Sequence, residues 1–421
     1  MDSILIRGKT PLSGEVSIQG SKNAALPVMA ASVLVPGVTT LINCPEISDV
    51  SCMCEILKCV GAKVSRQGST LTIDASQITG NHLPKEYVTR MRSSVILAGP
   101  MLGRCGEIYL HYPGGCVIGD RPINMHMDAL KKLGAVFKED REQENLAARA
   151  DVLRGTTVVL PFPSVGATEN TILAAVLARG VTEIYRCAME PEIRCLCDFL
   201  NGAGARVTGG GSGHITVEGV KKLHASTYRV EADRIVAGTY LLGVLAAGGS
   251  AFLRNAPAGQ LTSVLELARF MGARIEPDWN GILVERKGKI RSPGYLETGV
   301  YPAFPTDLQS PLLTVLCQAE SKSGVRERIF NGRFAVAGEL NRMGAGIQVR
   351  ENQAEMAGGR QLEGCSVTAQ ELRGGAALVL AGVCARGVTQ VYNRHFIERG
   401  YEDIVRDLKS LGADIGRETE F

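Results

Sequence analysis

The sequence predicts an α/β protein made of six copies of one βα-type unit, grouped as two globular halves of three. Three observations carry this. A short phrase recurs six times: VGAKV at Gly61, LGAVF at Gly134, AGARV at Gly204, MGARI at Gly272, MGAGI at Gly344 and LGADI at Gly412, at intervals of 68 to 73 residues. Each phrase closes an apolar helical pattern such as MHMDALKKLGAVF, and β-branched or apolar residues follow it as a strand. An Ala/Leu-rich stretch and a strand pattern precede each phrase. Solenoid stacking also explains repeats, but solenoid units run to roughly 20–50 residues. Units of this length are small domains in themselves.

The elements follow in order within the unit. The Ala/Leu-rich stretches are NAALPVMAASVLV, SSVILAGPML, NTILAAVLARG, GTYLLGVLAAGG, LLTVLCQAE and GGAALVLAGVCARG. They have little polar face, so each reads as a helix buried nearly all round. The strands TTLINC, GEIYLHY, TEIYRC, AFLRN, GVRERI and TQVYNR come next. A loop and a second helix then lead to the glycine, placed where a helix C-terminus needs a left-handed residue. The boundary between the halves falls near Glu231. TGGGSGHITV, residues 208–217, lies between strand patterns and reads as a hairpin turn, because a nucleotide fingerprint needs a following helix.

Composition narrows the function classes. The 421 residues are 45% hydrophobic and 21% charged, ample for a core. A net charge of +3 is too balanced for a nucleic-acid binder held by bulk charge. Aromatics make up 5%, with Trp279 the single tryptophan, which argues against base-stacking platforms. The start, MDSILIRGKT, lacks the pattern of a signal peptide. Runs such as ALVLAGVCARG are too short and glycine-rich to span a bilayer. The 12 cysteines follow no disulfide framework and read as reduced thiols in a cytoplasm. Cys52, Cys54 and Cys59 lie in one helical pattern and Cys195 and Cys197 in another, read as buried thiols rather than zinc ligands. No G-x-x-x-x-G-K-[ST] loop occurs, and the six histidines form no cluster.

Charged residues gather at two equivalent places in the unit. One is the start of the buried helix: Lys22, Arg92, Asp233, Asp307 and Arg373, with the third unit's SVGATEN read as uncharged there. The other is the loop after the strands: Cys116 and Arg121, Glu190, Arg333 and Arg399. Helix N-termini bind anions, so a cation there opposes the dipole unless an anion lies between them. Surface ion pairing explains any one of these residues. The whole set reads as a shared anionic site between the halves. In PGGCVIGDRP, the fixed charge of Arg121 favours the thiolate of Cys116, so the thiol is arranged for chemistry.

GSKNAALP, RMRSS, PGGCVIGDRP, SVGAT, EPEI, ADRIVAGT, FPTDLQ, NGRF and IERGYED, in this order and over essentially the full length, resemble the UDP-N-acetylglucosamine enolpyruvyl (1-carboxyvinyl) transferase family. The resemblance implies a two-domain inside-out α/β barrel of six βαβαββ-type repeats. Residues 22–231 would form the first three-repeat domain, carrying the Cys116 loop. Residues 1–21 and 232–421 would form the second, with the first strand of the chain completing it and the active site in the cleft between. Four positions depart from the family's usual pattern: Glu371 where aspartate is common, Asn124 in place of an acid, Ala232 in place of proline, and Phe162 where Lys or Arg is frequent.

The resemblance also implies the chemistry, which commits the sugar to peptidoglycan synthesis. The substrates are phosphoenolpyruvate and UDP-N-acetylglucosamine; no metal or organic cofactor, nucleic acid, membrane or obligate protein partner is called for. Cys116 is the acid that delivers a proton to C3. It also forms a covalent adduct with phosphoenolpyruvate and is the site alkylated by fosfomycin. Asp307 is base or orienter at the sugar 3-hydroxyl; as a residue in PTDLQ it also reads as a helix cap. Lys22, Arg121 and Arg399 hold the phosphate. Arg333 and Arg373 meet the carboxylate, where a planar fork suits two oxygens. Asn23 binds the sugar. Arg92, Arg121, Pro122, Ile123, Asn124, Met125, Ser164, Val165, Gly166, Thr306, Asp307 and Ile329 bind the sugar nucleotide. Two rival readings are the sister enzyme that acts on a phosphorylated shikimate, against which the Cys116 loop argues, and a degenerate paralogue that binds UDP-sugar as a regulator.

Overall fold

The structure is a computed structural model and describes residues 2–112, 114, 122–140, 142 and 144–418. Cys116 and Arg121 lie outside the described residues. The described residues divide into two compact units, one formed by those between 20 and 231 and one by residues 2–19 with 232–418. Each has its own apolar core.

In the unit of residues 20–231, each repeat builds one sheet. Val38–Ile42 pairs antiparallel with Thr70–Asp74, which pairs with Lys63–Gln67, and Ser226–Arg229 adds in parallel to Val38–Ile42. Glu107–His111, Asn145–Arg149 and Val136–Asp140 repeat the antiparallel part. Val181–Tyr185, His214–Glu218 and Arg206–Thr208 do so again, with Thr157–Val159 parallel at the edge. The turn joining Arg206–Thr208 to His214–Glu218 is the expected hairpin, with Gly209 and Gly211 at positive φ.

The second unit follows the same plan but borrows two strands from the start of the chain. Leu12–Ser17 adds in parallel to Gly249–Arg254, the first strand of the fourth repeat. Tyr295–Glu297 does this for Ser323–Arg326 in the fifth. In the sixth, Ser3–Arg7 lies antiparallel between Val388–Tyr392 and Asp414–Arg417, in the place a third strand of the repeat takes elsewhere.

The Ala/Leu-rich stretches are the inner helices: Lys22–Ala31, Ala98–Cys105, Val165–Ala175, Arg234–Ala247, Gln309–Leu316 and Leu372–Cys384. Every residue of Leu372–Cys384 is buried, as the missing polar face requires. The second stretch differs from a plain helix. Arg92–Leu97 is 3₁₀ and the α-helix starts only at Ala98. Pro100 explains this: lacking an N–H, it fits the first turn of an α-helix, where that N–H has no partner. Pro311 stands at the same place in Gln309–Leu316, again after a 3₁₀ turn, Thr306–Leu308.

The six repeated glycines each end an outer helix. All have positive φ, from 84° to 106°. In every case the N–H of the following alanine reaches back five residues, from Ala62 to Leu57, Ala135 to Leu130, Ala205 to Leu200, Ala273 to Ala268, Ala345 to Leu340 and Ala413 to Leu408, at 2.9–3.1 Å. This is the Schellman closure, which satisfies carbonyls the helix end leaves open. The thiols are less uniform than expected. Cys54, Cys195 and Cys197 are buried, but Cys52 is half-buried and Cys59 exposed, because the outer helix Ser48–Cys59 turns one face to water. Among the described residues no helix is long and apolar enough to cross a membrane.

Candidate active site

In the second unit the repeat places Asp307, Arg333 and Arg373 on three different segments, and the fold brings them together. Asp307 lies in the 3₁₀ turn Thr306–Leu308, which opens the inner helix Gln309–Leu316. Arg373 is in the first turn of Leu372–Cys384, and Arg333 follows the strand Ser323–Arg326. Arg333 donates through Nη2 to Asp307 Oδ1, and Arg373 through Nη2 to Asp307 Oδ2 at 3.2 Å. Both arginine side chains are 3% exposed. Burial opposes the charge of Arg373, but Asp307, Tyr401 and Asp233 outweigh it and raise its pKa. Two guanidinium forks thus meet at one point, an anion receptor with its own carboxylate already in it. The helix-cap role read for Asp307 belongs elsewhere: Pro305 and Leu308 hold the N-cap positions of the two helical segments.

Glu371 is the N-cap of Leu372–Cys384. It accepts from the N–H groups of Arg373, at 2.8 Å, and Gly374. Its Oε2 also lies 3.7 Å from Arg333 Nη1. The glutamate therefore fills the cap and helps place both arginines. Tyr401 stands behind Arg373. Its hydroxyl is 3.5 Å from Arg373 Nη1 and 2.8 Å from Thr239 Oγ1, and the guanidinium lies 5.8 Å from its ring centre. Burial raises the Tyr401 pKa, which keeps the phenol neutral. Arg399 ends the neighbouring 3₁₀ segment Arg394–Arg399 and is half-buried.

The unit of residues 20–231 carries the other candidates. Ser21 caps Lys22–Ala31, and Lys22 Nζ is 3.5 Å from Asp49 Oδ2, so a carboxylate faces this helix-start cation. Asn23 follows it, half-buried. Ile123–Met125 and Ser164–Gly166 come together, because the helix Asn124–Lys132 packs on Val165–Ala175. A Cβ on Gly166 would stand 2.9 Å from the His126 ring, so glycine is needed for that approach. Asn170 ties this region together. It accepts from Gly99 N–H at 2.6 Å, donates to the Val95 carbonyl at 2.9 Å and lies 3.0 Å from His126 Nδ1. It thereby fixes the Arg92–Leu97 turn, which carries Arg92, against the segment that carries Ile123, Asn124 and Met125. Pro122 precedes that segment and is exposed.

Sequence reasoning missed Asn170, Glu327 and Tyr401. It also missed the charge of the third unit. Glu169, in SVGATEN, is buried, and burial with Glu192 and Glu190 nearby raises its pKa well above the usual carboxylate range. No group of three or more His, Cys, Asp or Glu suited to a metal occurs among the described residues.

Two compact units of three sheets, with a carboxylate set between two buried arginines, one at an inner-helix start and one in the loop after a strand, define a carboxyvinyl transferase fold. The chain belongs to the EPSP synthase (3-phosphoshikimate 1-carboxyvinyltransferase) family, whose model matches residues 6–408. It is 42% identical over 419 residues to UDP-N-acetylglucosamine 1-carboxyvinyltransferase 2 of Carboxydothermus hydrogenoformans, covering 99% of each chain. It is 42% identical over 421 residues to UDP-N-acetylglucosamine 1-carboxyvinyltransferase of Granulibacter bethesdensis, again covering 99% of each. Among solved structures it is similar to the enolpyruvyl transferase NikO from Streptomyces tendae, with a TM-score of 0.88 and 25% identity over 99% of this chain and 98% of that one. EPSP synthase from Acinetobacter baumannii shares the fold, with a TM-score of 0.75 and 16% identity over 99% of this chain and 100% of that one.

Proposed function

We infer that the protein transfers the enolpyruvyl group of phosphoenolpyruvate to the 3-hydroxyl of UDP-N-acetylglucosamine with release of phosphate. This is the first committed step of peptidoglycan synthesis, carried out in the cytoplasm. The observation that carries the reading is identity of about 40% along the full length to enzymes of that name.

The reaction is addition then elimination. The sugar 3-oxygen bonds to C2 of phosphoenolpyruvate as C3 takes a proton, giving a tetrahedral ketal. C3 then gives a proton back, the C2–O bond to phosphate breaks, and the enol ether forms. Cys116 delivers the proton to C3. Asp307 takes or orients the proton of the 3-hydroxyl, and its two arginine partners fix its orientation. Arg333 and Arg373 receive the carboxylate of phosphoenolpyruvate in part of the space where they now meet Asp307 and Glu371. Lys22, Arg121 and Arg399 hold the phosphate, and their charge favours its departure. Asn23, Arg92, residues 121–125, Ser164–Gly166, Thr306 and Ile329 hold the sugar nucleotide.

Mass spectrometry of the sugar nucleotide tests the reading. Incubated with phosphoenolpyruvate and the protein, UDP-N-acetylglucosamine should gain one enolpyruvyl ether at the 3-oxygen while phosphate appears in equal amount. A sugar nucleotide that binds and returns unchanged would favour a regulatory binder instead.

A further inference from the structure

Glu327 is a buried carboxylate, 2% exposed, just beyond the strand Ser323–Arg326. The reaction above assigns it nothing. Both of its oxygens are used. Oε1 accepts from the N–H groups of Ile329 at 2.8 Å and Phe330 at 3.2 Å, and Oε2 accepts from the Thr306 hydroxyl at 3.0 Å. Two segments distant in sequence are thus fixed to one carboxylate. One carries Thr306 and Asp307; the other carries Ile329 and leads to Arg333.

Hydrogen-bond accounting shows how the effect travels. A threonine hydroxyl has one hydrogen. Thr306 gives it to Glu327, so its oxygen presents lone pairs, and Arg333 Nε donates to that oxygen at 3.3 Å. The same guanidinium donates through Nη2 to Asp307. A chain of polar contacts therefore runs from Glu327 through Thr306 to Arg333 and on to Asp307. We propose that Glu327 is a positioning residue: its negative charge dictates the direction of the Thr306 hydroxyl, and that hydroxyl sets the orientation of the arginine that receives the carboxylate of phosphoenolpyruvate. The proposal deepens the function inferred above and rests on it for its kinetic readout.

Glu327→Gln keeps the shape and an acceptor for Ile329 and Phe330. Its amide group, however, puts a donor against Thr306. The hydroxyl must then turn its hydrogen away from residue 327, and its oxygen, accepting from the amide as well, no longer meets Arg333 Nε in the wild-type direction. The KM for phosphoenolpyruvate should rise about tenfold or more, the scale of a lost hydrogen bond to a charged group. The KM for UDP-N-acetylglucosamine should change much less. Thr306→Val should reproduce the rise in the KM for phosphoenolpyruvate, with an added loss of sugar-nucleotide affinity from the contact Thr306 itself makes, and Thr306→Ser, which keeps the hydroxyl, should leave the KM for phosphoenolpyruvate near that of the wild type. Glu327→Gln added to Thr306→Val should raise the phosphoenolpyruvate KM little further, because both act through one contact. A second readout needs no turnover. In protein with 15N-labelled arginine, the Nε–H resonance of Arg333, assigned by its loss in Arg333→Lys, should shift in Glu327→Gln and Thr306→Val but not in Thr306→Ser. An unmoved resonance in a folded Glu327→Gln protein would overturn the proposal. So would equal rises in both KM values in Glu327→Gln. A wild type that releases no phosphate would overturn the function inferred above and leave the resonance test standing.

Discussion

Asp307 accepts from two buried arginines at once, and one of these, Arg333, is also held through Thr306. Such a carboxylate has a fixed orientation, which suits a group that must take a proton along one line. Asp307→Asn keeps the shape and removes the charge. Turnover should fall by roughly 10²–10⁴, the span of a general base, while UDP-N-acetylglucosamine binding by calorimetry changes far less. Near-normal turnover would remove Asp307 from the proton path. The thiols give a second expectation. Burial pushes Cys54, Cys187 and Cys384 up to about 11 and Cys195, Cys197 and Cys317 up to about 12, so these six stay protonated near neutrality. Fosfomycin should therefore spare these six, and the family resemblance puts its label on Cys116. Cys116→Asp should keep measurable turnover with a lower pH optimum, following reference pKa values of ~3.9 for aspartate against ~8.5 for cysteine, and should resist fosfomycin. Cys116→Ser should be nearly inactive. Peptide mapping that finds the adduct on another cysteine would contradict this. Asp307 and Arg373 stood out in the sequence because each sets a charge at the start of an apolar helix, and Arg333 because it falls in the loop that carries charge in other repeats; the roles given to them came only from the resemblance. Glu327 was not, because a glutamate in GVRERI reads as one more solvated charge. Only the tertiary fold carries Thr306 to it.

The six glycine closures show what a repeat makes visible. Each is local, fixed by residues within one turn and the next strand, so the sequence alone locates it. The burial of Glu169 is of the other kind. It lies in the inner helix Val165–Ala175, and Glu190 and Glu192, which help raise its pKa, come from the loop and helix start some twenty residues on. The sign of its effect on stability follows from that shift. In the unfolded chain the carboxyl ionises near ~4.5, and in the folded protein it holds its proton to higher pH. Folding thus gains relative to a fixed charge at low pH, and that gain is lost as pH rises from the unfolded value through the folded one. Glu169→Gln, which cannot ionise, should raise the melting temperature at neutral pH. The advantage should shrink as pH falls towards 4.5 and vanish below it. A constant difference across this range, followed by thermal melts, would show that the carboxyl does not titrate differently in the folded state.

At the scale of the molecule, the two units depend differently on the chain. Residues 20–231 supply every strand of their own three sheets, the last being Ser226–Arg229. Residues 232–418 do not: one sheet needs Leu12–Ser17, and another needs Ser3–Arg7 between two of its strands. These pairings join residues nearly the whole sequence apart, so no local pattern announces them, and only the resemblance to a known fold suggested that the first strand would complete the second domain. Residues 20–231 expressed alone should melt cooperatively. Residues 232–421 alone should not, because an unfilled sheet centre leaves a row of backbone groups and the Ile4 and Ile6 side chains missing from the core. Joining residues 1–19 to residue 232 by a short flexible linker should restore folding, since Gln19 carbonyl already accepts from Asp233 N–H at 2.8 Å. What sets this family member apart is its acceptor, a sugar nucleotide and not a shikimate. The direct measurement is phosphate release from phosphoenolpyruvate, followed continuously, with UDP-N-acetylglucosamine or shikimate 3-phosphate as acceptor at matched concentrations. Turnover is expected with UDP-N-acetylglucosamine and none above background with shikimate 3-phosphate. Turnover with shikimate 3-phosphate alone, or with neither acceptor, would contradict this.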